Sequence, residues 1–305
     1  MRILVTGASG LLGINLCLTL ADEHAITGLV NRQKIENTPF NVLAGDLRDA
    51  GFLRKAVEKA KPEVVIHCAA AAHIDWCEQH PDEAMQINAE VPGNLAEICL
   101  KRDIQLLHIS TDAVFDGKQV EYTEEDEPNP QSVYARSKYL GERNVLAVNA
   151  KALVSRVNFF GYSLSGTRSL AEFFINNLSA GNPVNGFVDV IFCPLYVKDL
   201  VDLFVQMLEK SLNGLYHTVS SESLSKYAFG LNIAKRFGFD RNLIHPVSVN
   251  EGNLVAKRSP LLMLNVEKLI AAGVRPLVQE QGLRRLHQDY LEGWPARIRE
   301  YARVE

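Results

Sequence analysis

The chain has 305 residues, of which 47% are hydrophobic and 22% are charged, and its formal net charge is −4. This composition excludes a disordered or fibrous chain, and the near-neutral charge offers no basic footprint for nucleic acid or an anionic membrane. The longest apolar run, residues 64–74, is too short to cross a bilayer. Five cysteines without a Cys-x-x-Cys pair are typical of reduced thiols, so we expect a cytoplasmic protein.

Strand-like and helical patterns alternate through the first half of the chain. Short β-branched or apolar runs predict strands, and stretches with helical spacing predict the helices between them. The predicted strands are residues 2–6, 25–30, 41–44, 64–68, 105–110 and 152–157, and the predicted helices are residues 11–20, 50–60, 84–100 and 132–148. This alternation predicts an α/β fold with a doubly wound, Rossmann-type parallel sheet and helices on both of its faces.

The pattern changes after Gly161, where short elements mix with loops. Helical spacing predicts helices at residues 172–178, 197–208, 226–237 and 281–301, and a short apolar run predicts a strand at residues 214–219. The second part of the chain is therefore expected to add a smaller, mixed α/β region.

Glycines recur every third residue between the first predicted strand and the first predicted helix. Gly7, Gly10 and Gly13 form a Gly-x-x-Gly-x-x-Gly variant of the dinucleotide fingerprint. Bare backbone can approach a pyrophosphate closely there, and the helix N-terminus directs unbonded N–H groups at the anion. A glycine turn without a ligand is the alternative. The position of the motif inside a βαβ unit favours a cofactor site formed by Gly7, Ser9, Gly10, Leu11, Leu12 and Gly13.

Charges after the second predicted strand indicate which nicotinamide cofactor is bound. An acidic residue at this point usually selects NAD, but the chain has Asn31 and Arg32 there, and Lys34 follows. Arg32 could pair with a 2′-phosphate, which favours NADP(H) and leaves NAD(H) possible, whereas solvated loop charges are the alternative. Asp46, with Leu47 beside it, ends the next strand and could contact the adenine.

A tyrosine and a lysine lie four residues apart on the helix predicted at residues 132–148. This spacing places Tyr134 and Lys138 on one helix face. We expect the ammonium to lower the pKa of the phenol, which otherwise titrates too high for acid–base catalysis at neutral pH. Thr111 ends the preceding strand, where its hydroxyl can bond to a substrate carbonyl.

Together these features resemble the extended short-chain dehydrogenase/reductases over nearly the whole chain. The resemblance is carried by residues 7–13, 67–70, 88, 110–117, 134–138, 141–142 and 156–161. Within that superfamily, Ser-Thr-Asp-x-Val-Phe-Asp-Gly at residues 110–117 resembles the dTDP-4-dehydrorhamnose reductase branch, as do residues 194–200, 214–217 and 224–229. The resemblance implies an NAD(P)-binding domain at residues 1–160 plus about 187–211, and a nucleotide-sugar domain at residues 161–186 and 212–305.

The resemblance also implies a reaction and roles for particular residues. It is the NADPH-dependent reduction of a 4-keto-6-deoxy nucleotide sugar, in which Thr111 polarises the carbonyl, Tyr134 donates the proton and Lys138 binds the nicotinamide ribose. Further cofactor contacts fall on Ala69, Ala70 and Ala71, and substrate contacts fall on Asp75, Asp112, Val114, Phe115, Asn158 and Arg258. Magnesium and a homodimer are further expectations from this resemblance.

Two other functions remain open at this stage. A nucleotide-sugar epimerase or dehydratase would retain a tightly bound NAD. A non-catalytic regulatory subunit is the other, because residues 10–13 also resemble the β subunit of methionine adenosyltransferase.

Weaker signals lie outside these motifs. The spacing of His73, Asp75, Cys77 and His80 does not match a structural zinc site, so no metal ligands are assigned. Arg168, Lys257, Arg258 and Arg275 are candidates for binding a diphosphate.

Overall fold

The computed structural model describes residues 1–251 and 259–302. Its strands are β1 Arg2–Thr6, β2 Ala25–Val30, β3 Asn41–Ala44, β4 Val64–His67, β5 Gln105–Thr111, β6 Leu153–Val157, β7 Phe159–Phe160, β8 Val184–Phe187, β9 Ile191–Phe192, β10 Leu195–Tyr196, β11 Gly214–Thr218, β12 Leu224–Ser225, β13 Ile244–Val247 and β14 Leu261–Leu262. Its α-helices are α1 Leu11–Leu20, α2 Ala50–Ala60, α3 Ile74–Gln79, α4 Pro81–Met85, α5 Val91–Lys101, α6 Val133–Val148, α7 Leu170–Ser179, α8 Val197–Glu209, α9 Lys226–Phe237, α10 Glu267–Ala271, α11 Gln279–Leu291 and α12 Trp294–Glu300. In this part of the chain, no helix is long and apolar enough to span a membrane.

Seven parallel strands form the central sheet in the order β11-β6-β5-β4-β1-β2-β3. Alternate residues of β1 face opposite sides, because Ile3 and Val5 belong to one buried cluster and Leu4 to another. The first cluster contains α1 and α8, and the second contains α2 and α5. Burial on both faces explains the nearly continuous apolar strands, and the predicted doubly wound α/β fold is confirmed.

The smaller lobe consists of short sheets beside the carboxyl ends of these strands. One pairs β8 with β13, and another has the order β12-β9-β14. The sequence assigned residues 212–305 to the smaller domain, whereas β11, which lies in that range, pairs in parallel with β6 at the edge of the large sheet. The segment at 187–211, which the sequence assigned to the NAD(P)-binding domain, is shared between the two lobes. Its strand β9 pairs within the smaller lobe, whereas its helix α8 packs in the buried cluster that contains α1.

Two long helices predicted from the sequence are interrupted. The helix predicted at residues 84–100 consists of α4, a π-helical turn at Gln86–Glu90 and α5, and in the turn the Val91 N–H bonds to the Gln86 carbonyl. The helix predicted at residues 281–301 ends at Leu291 and resumes at Trp294, because Gly293 adopts a φ of +77° between α11 and α12. Both breaks are features of the backbone, and the spacing of hydrophobic residues does not reveal them.

Candidate active site

The glycine loop follows β1 at the point where the strand order reverses, with β4 on one side of β1 and β2 on the other. Gly7 has a φ of +69°, and a Cβ there would lie 2.7 Å from the backbone of Ala69. A Cβ on Gly13 would lie 2.1 Å from the Gly7 carbonyl oxygen. Gly10 is the N-cap of α1 and supplies no side-chain cap, so the first N–H groups of the helix are available to an anion. This bare cradle fits the pyrophosphate of a dinucleotide.

One cleft of about 710 Å³ extends from this loop along the carboxyl edge of the sheet. All the residues assigned from the sequence to cofactor binding or catalysis line it: Gly7, Ser9, Gly10, Leu11, Leu12, Gly13, Asn31, Arg32, Asp46, Leu47, Ala69, Ala70, Ala71, Thr111, Tyr134 and Lys138. Sequence reasoning did not assign several others that share the lining, among them Gln33, Arg48, His73, Trp76 and Phe159. The motifs that follow five of the strands, β1 to β5, therefore lie along one continuous surface.

Charged residues surround the end of the cleft beyond β2 and β3. Arg48 donates to the Asp46 carboxylate from Nη2 at 2.6 Å and from Nε at 3.0 Å. This hydrogen bonding lowers the pKa of Asp46, and Arg48 also reaches Glu83 at 3.3 Å. Within the described residues Arg32 makes no ion pair, so its guanidinium is available to pair with a phosphate at this end of the cleft.

Lys138 is 3% exposed, and its ammonium donates to the Ile109 carbonyl oxygen at 2.6 Å. Burial lowers the pKa of Lys138 to about 8 and raises the pKa of Tyr134 to about 12, while a hydrogen bond with Thr111 acts in the opposite direction on Tyr134. The expectation that the ammonium lowers the pKa of the phenol is therefore not met. Burial dominates at Tyr134, and the lysine is engaged with the backbone of β5.

Thr111, Asp112 and Asn158 form a hydrogen-bonded row between the end of β5 and the residue after β6. Thr111 Oγ1 donates to Asp112 Oδ1 at 3.1 Å, and Asn158 Nδ2 donates to Asp112 Oδ2 at 2.5 Å. Thr111 Oγ1 also accepts from the Ala113 N–H at 3.2 Å. Of these residues, only Thr111 lines the cleft.

Of the residues assigned to substrate from the sequence, those that the structure describes do not line this cleft. Val114 and Phe115 are completely buried, and the Phe115 ring stacks on Tyr122 with 4.1 Å between centroids. Their side chains therefore belong to the core, and their contact with substrate stays a prediction. Asp75 Oδ1 is buried without a hydrogen-bond partner, and Arg258, like Lys257, lies outside the described residues.

A buried ion pair behind the site was not assigned from the sequence. Arg156 donates to Glu142 from Nε at 3.0 Å and from Nη2 at 2.8 Å, and Ser110 donates to the same carboxylate at 2.5 Å. Glu142 follows Lys138 by four residues, as Lys138 follows Tyr134, so the i, i+4 spacing was the available signal. The pair fixes α6 against the ends of β5 and β6.

Asn88 fastens the alanine loop of the cleft to the helix that carries Tyr134. It lies in the π-helical turn, where its amide accepts from the Ala71 N–H at 2.8 Å and donates to the Ala71 carbonyl at 3.0 Å and to Ser137 Oγ at 2.9 Å. A π turn re-aims a side chain in this way, and such turns are frequent at functional sites.

The loop that could have suggested zinc has local structural roles. His73 caps α3 by accepting from the Trp76 N–H at 3.2 Å, and the Trp76 ring stacks on His80. In residues 1–251 and 259–302 no group of three or more His, Cys, Asp or Glu side chains is arranged to hold a metal. The magnesium implied by the resemblance stays an expectation without assigned ligands. Of the arginines considered for binding a diphosphate, Arg168 lines the cleft, whereas Arg275 does not.

Comparison with known proteins gives consistent matches over most of the chain. A family model described as the RmlD substrate binding domain matches residues 1–292. The chain is 33% identical over 276 residues to the probable low-salt glycan biosynthesis reductase Agl14 of Haloferax volcanii, covering 88% of this chain and 91% of that protein. It is 31% identical over 256 residues to the methionine adenosyltransferase 2 subunit beta of Bos taurus, covering 81% of this chain and 75% of that protein. The crystal structure of a dTDP-4-dehydrorhamnose reductase of Bacillus anthracis in complex with NADP superposes with a TM-score of 0.82 at 26% identity, covering 95% of this chain and 99% of that one.

Proposed function

Because the chain belongs to the family of the RmlD substrate binding domain, we propose that it is an NADPH-dependent reductase acting on the C4 keto group of a 4-keto-6-deoxy nucleotide sugar. The observation that carries this proposal is the single cleft, which begins at the N-terminus of α1 and includes Thr111, Tyr134 and Lys138. Membership of this family also confirms the resemblance found in the sequence.

Different residues of the cleft would bind the cofactor and donate a proton to the substrate. The glycine loop and the N-terminus of α1 would hold the pyrophosphate, Arg32 would pair with the 2′-phosphate, and Lys138 would bind the nicotinamide ribose. NADPH supplies the hydride when it is bound. Tyr134 would donate its phenolic proton to the C4 oxygen, so that the ketone gains a hydride and a proton and becomes a secondary alcohol.

The activity is tested by following NADPH absorbance in the presence of dTDP-4-keto-6-deoxy sugars. We expect NADPH loss by the wild type, and a kcat reduced about a hundredfold or more in Tyr134→Phe, the usual scale for losing a general acid. NADPH affinity should change little in that variant. Tyr139→Phe, one turn further along α6, is the matched control and should retain activity. A wild type that reduces no 4-keto nucleotide sugar would refute the proposal.

A regulatory role is the second candidate, favoured by the similarity to the bovine methionine adenosyltransferase subunit. Such a protein would bind NADPH and reduce no sugar, and Tyr134→Phe would leave its biological role intact. The epimerase alternative has less support, since the UDP-glucose 4-epimerase structure of Thermotoga maritima is 21% identical and shares the fold alone. Mass spectrometry of the cofactor retained on purification distinguishes an epimerase, which would carry NAD stoichiometrically, from the other two, and the sugar-reduction assay distinguishes the reductase from the regulatory protein.

Three further features belong to the proposal and rest on family resemblance and composition. The preferred cofactor is NADP(H) rather than NAD(H), the chain forms a homodimer, and it works in the cytoplasm. Arg32→Asp should reverse the cofactor preference, since it replaces the cation at the 2′-phosphate with a carboxylate.

A further inference from the structure

Three arginines line the cofactor cleft: Arg32, Arg48 and Arg168. Arg48 is held in ion pairs with Asp46 and Glu83, and Arg32 follows β2 and is proposed above for the 2′-phosphate. Arg168 comes from the loop between β7 and α7. Among the residues that the structure describes, its guanidinium forms no ion pair and no hydrogen bond, and only its backbone N–H is bonded. Its charge is therefore available to an anionic ligand in the cleft.

Hydrogen bonds connect the start of this loop to the first turn of α1. Asn15 is completely buried, and its Nδ2 donates at 2.8 Å to the carbonyl of Leu11 and at 2.8 Å to the carbonyl of Tyr162. Leu11 is the first residue of α1 and itself lines the cleft. Because one nitrogen reaches both carbonyls, the loop that carries Arg168 begins beside the N-terminus of α1.

A buried carboxylate then closes the loop, so that Arg168 returns to its start. Glu172 is 2% exposed, and it accepts from the Ser163 N–H at 2.7 Å and from the Arg168 N–H at 2.9 Å. The Ser163 hydroxyl donates to the same carboxylate at 2.8 Å. The backbone of Arg168 is thereby held close to Ser163, the neighbour of Tyr162, and a backbone fixed in this way reduces the entropy that is lost when the side chain binds a ligand.

We propose that Arg168 is a cofactor-binding residue whose guanidinium pairs with the pyrophosphate of the dinucleotide, opposite the N–H groups of the glycine loop. A helix N-terminus offers roughly half of one positive charge, whereas a dinucleotide pyrophosphate carries two negative charges. A guanidinium beside α1 supplies a full positive charge and donors that match phosphate oxygens. The inference rests on the proposed function only in that a nicotinamide dinucleotide occupies the cleft.

This assignment gives the two unpaired arginines different effects on cofactor choice. NADPH and NADH share the pyrophosphate, so Arg168 would contribute equally to the binding of both. Only NADPH has the 2′-phosphate, so Arg32 would contribute to NADPH alone. A nucleotide sugar also carries a diphosphate that a guanidinium can bind, but the hydrogen bonds from Leu11 through Asn15 to Tyr162 place the loop beside the cofactor motif and favour the dinucleotide.

Calorimetry with NADPH and with NADH, on protein freed of nucleotide, tests the inference in Arg168→Met. This change keeps an unbranched side chain and removes the charge. We expect the affinity for both dinucleotides to fall by the same factor, about tenfold or more, the scale of hydrogen bonds to a charged group. In Arg32→Met only the affinity for NADPH should fall. The melting temperature of unliganded Arg168→Met should equal that of the wild type, because the Arg168 side chain is exposed.

Arg299→Met is the matched control for the loss of one positive charge. Arg299 is also exposed and lies against the same loop, since its Nε is 3.2 Å from the position that a Cβ on Gly166 would take. It does not line the cleft. The Arg299→Met protein should therefore bind NADPH and NADH like the wild type.

Binding of dTDP, measured in the same way, distinguishes the two sources of a diphosphate. An affinity for dTDP that Arg168→Met leaves unchanged supports the inference, and a loss comparable to that for the dinucleotides overturns it. A loss confined to NADPH would place Arg168 at the 2′-phosphate, and affinities equal to those of Arg299→Met would make it a solvated surface charge; either result overturns the inference. Failure of the wild type to reduce any 4-keto sugar refutes the proposed function alone, because these affinities are measured without that substrate.

Discussion

Lys138 and two histidines lie beneath the reactive end of the cleft, and burial governs the charge of all three. The rings of His67 and His108 stack with 5.3 Å between centroids. Burial lowers the pKa of His67 to about 3 and that of His108 well below its usual value, and the Lys138 ammonium acts in the same direction on both. His67 Nδ1 bonds to Thr6, whereas neither ring nitrogen of His108 has a hydrogen-bond partner. Both rings are therefore neutral in the folded protein at physiological pH.

We predict that His108→Leu stabilises the protein, and more so in acid. At neutral pH the gain comes from removing two buried polar atoms without partners, about 1–2 kcal/mol. Below pH 6.5 the unfolded histidine binds a proton that the folded one does not, so the wild type loses stability as the pH falls. Between pH 7.5 and pH 5 the advantage of the variant should grow by about 2 kcal/mol.

Urea unfolding at the two pH values measures this difference. His245→Leu is the matched control, because that ring is exposed on β13 and should contribute no such growth. A constant difference between His108→Leu and the wild type at both pH values would show that His108 takes up its proton in the folded state.

At the scale of elements, the close approach of α1 to the end of β1 sets the shape of the cofactor cradle. Gly13 packs against the Gly7 carbonyl, leaving no space for a side chain. On the other side of the cleft, Tyr134, Lys138 and Glu142 lie on successive turns of α6, and the Glu142–Arg156 pair anchors the helix. Removing one partner of such a buried pair would leave an uncompensated charge. Each wall of the site is thus positioned by a contact between elements.

We predict that Gly13→Ala abolishes tight cofactor binding. The new Cβ would lie 2.1 Å from the Gly7 carbonyl oxygen, so α1 must move away from β1 and take its free N–H groups with it. NADPH affinity measured by calorimetry should fall at least about tenfold, and the melting temperature should fall as well.

Gly51→Ala in the first turn of α2 is the control for this prediction. Its Cβ would meet only the carboxylate oxygen of Asp49 at 3.0 Å, and alanine favours a helix. It should retain wild-type NADPH affinity. If Gly13→Ala binds NADPH like the wild type, the cradle is not the pyrophosphate site.

At the scale of the whole molecule, the last two helices fold back onto the first. Trp294 Nε1 donates to Asn15 Oδ1 at 3.0 Å across 279 positions of sequence. The Lys198 ammonium lies 3.5 Å from the centroid of the Trp294 ring and bonds to Asp289 at 2.7 Å. Asn15 also donates to the Tyr162 carbonyl at 2.8 Å. The chain is thereby closed around α1, the helix that begins at the cofactor loop.

We predict that Trp294→Ala lowers the free energy of unfolding by about 3 kcal/mol, the usual cost of truncating a large packed aromatic side chain. Trp294→Phe should cost about half as much, because it keeps most of the packing and loses the hydrogen bond. Urea denaturation measures both. Equal stability of Trp294→Ala and the wild type would show that the contact of Trp294 with α1 does not stabilise the fold.

The parallel sheet and the position of the cofactor loop could be predicted from the sequence, because both depend on local patterns. Alternating strand and helix periods specify a parallel sheet, and Gly7, Gly10 and Gly13 mark the turn where the cofactor domain begins. The π turn and the break at Gly293 were missed, since both are backbone features that leave the spacing of apolar residues almost unchanged. The membership of β11 in the large sheet was missed because strand pairing is non-local.

By itself the sequence determined the fold class, the family and many of the residues that line the cleft, since each is encoded by residue type and spacing within a short segment. Only the tertiary structure decided which of the predicted site residues line the cleft and which are buried in the core or bonded to other side chains. Val114 and Phe115 belong to the core, Asp112 bonds to Thr111 and Asn158, and burial rather than Lys138 controls the pKa of Tyr134. The physical reason is that solvation depends on every element packed around a group, and those elements come from distant parts of the chain.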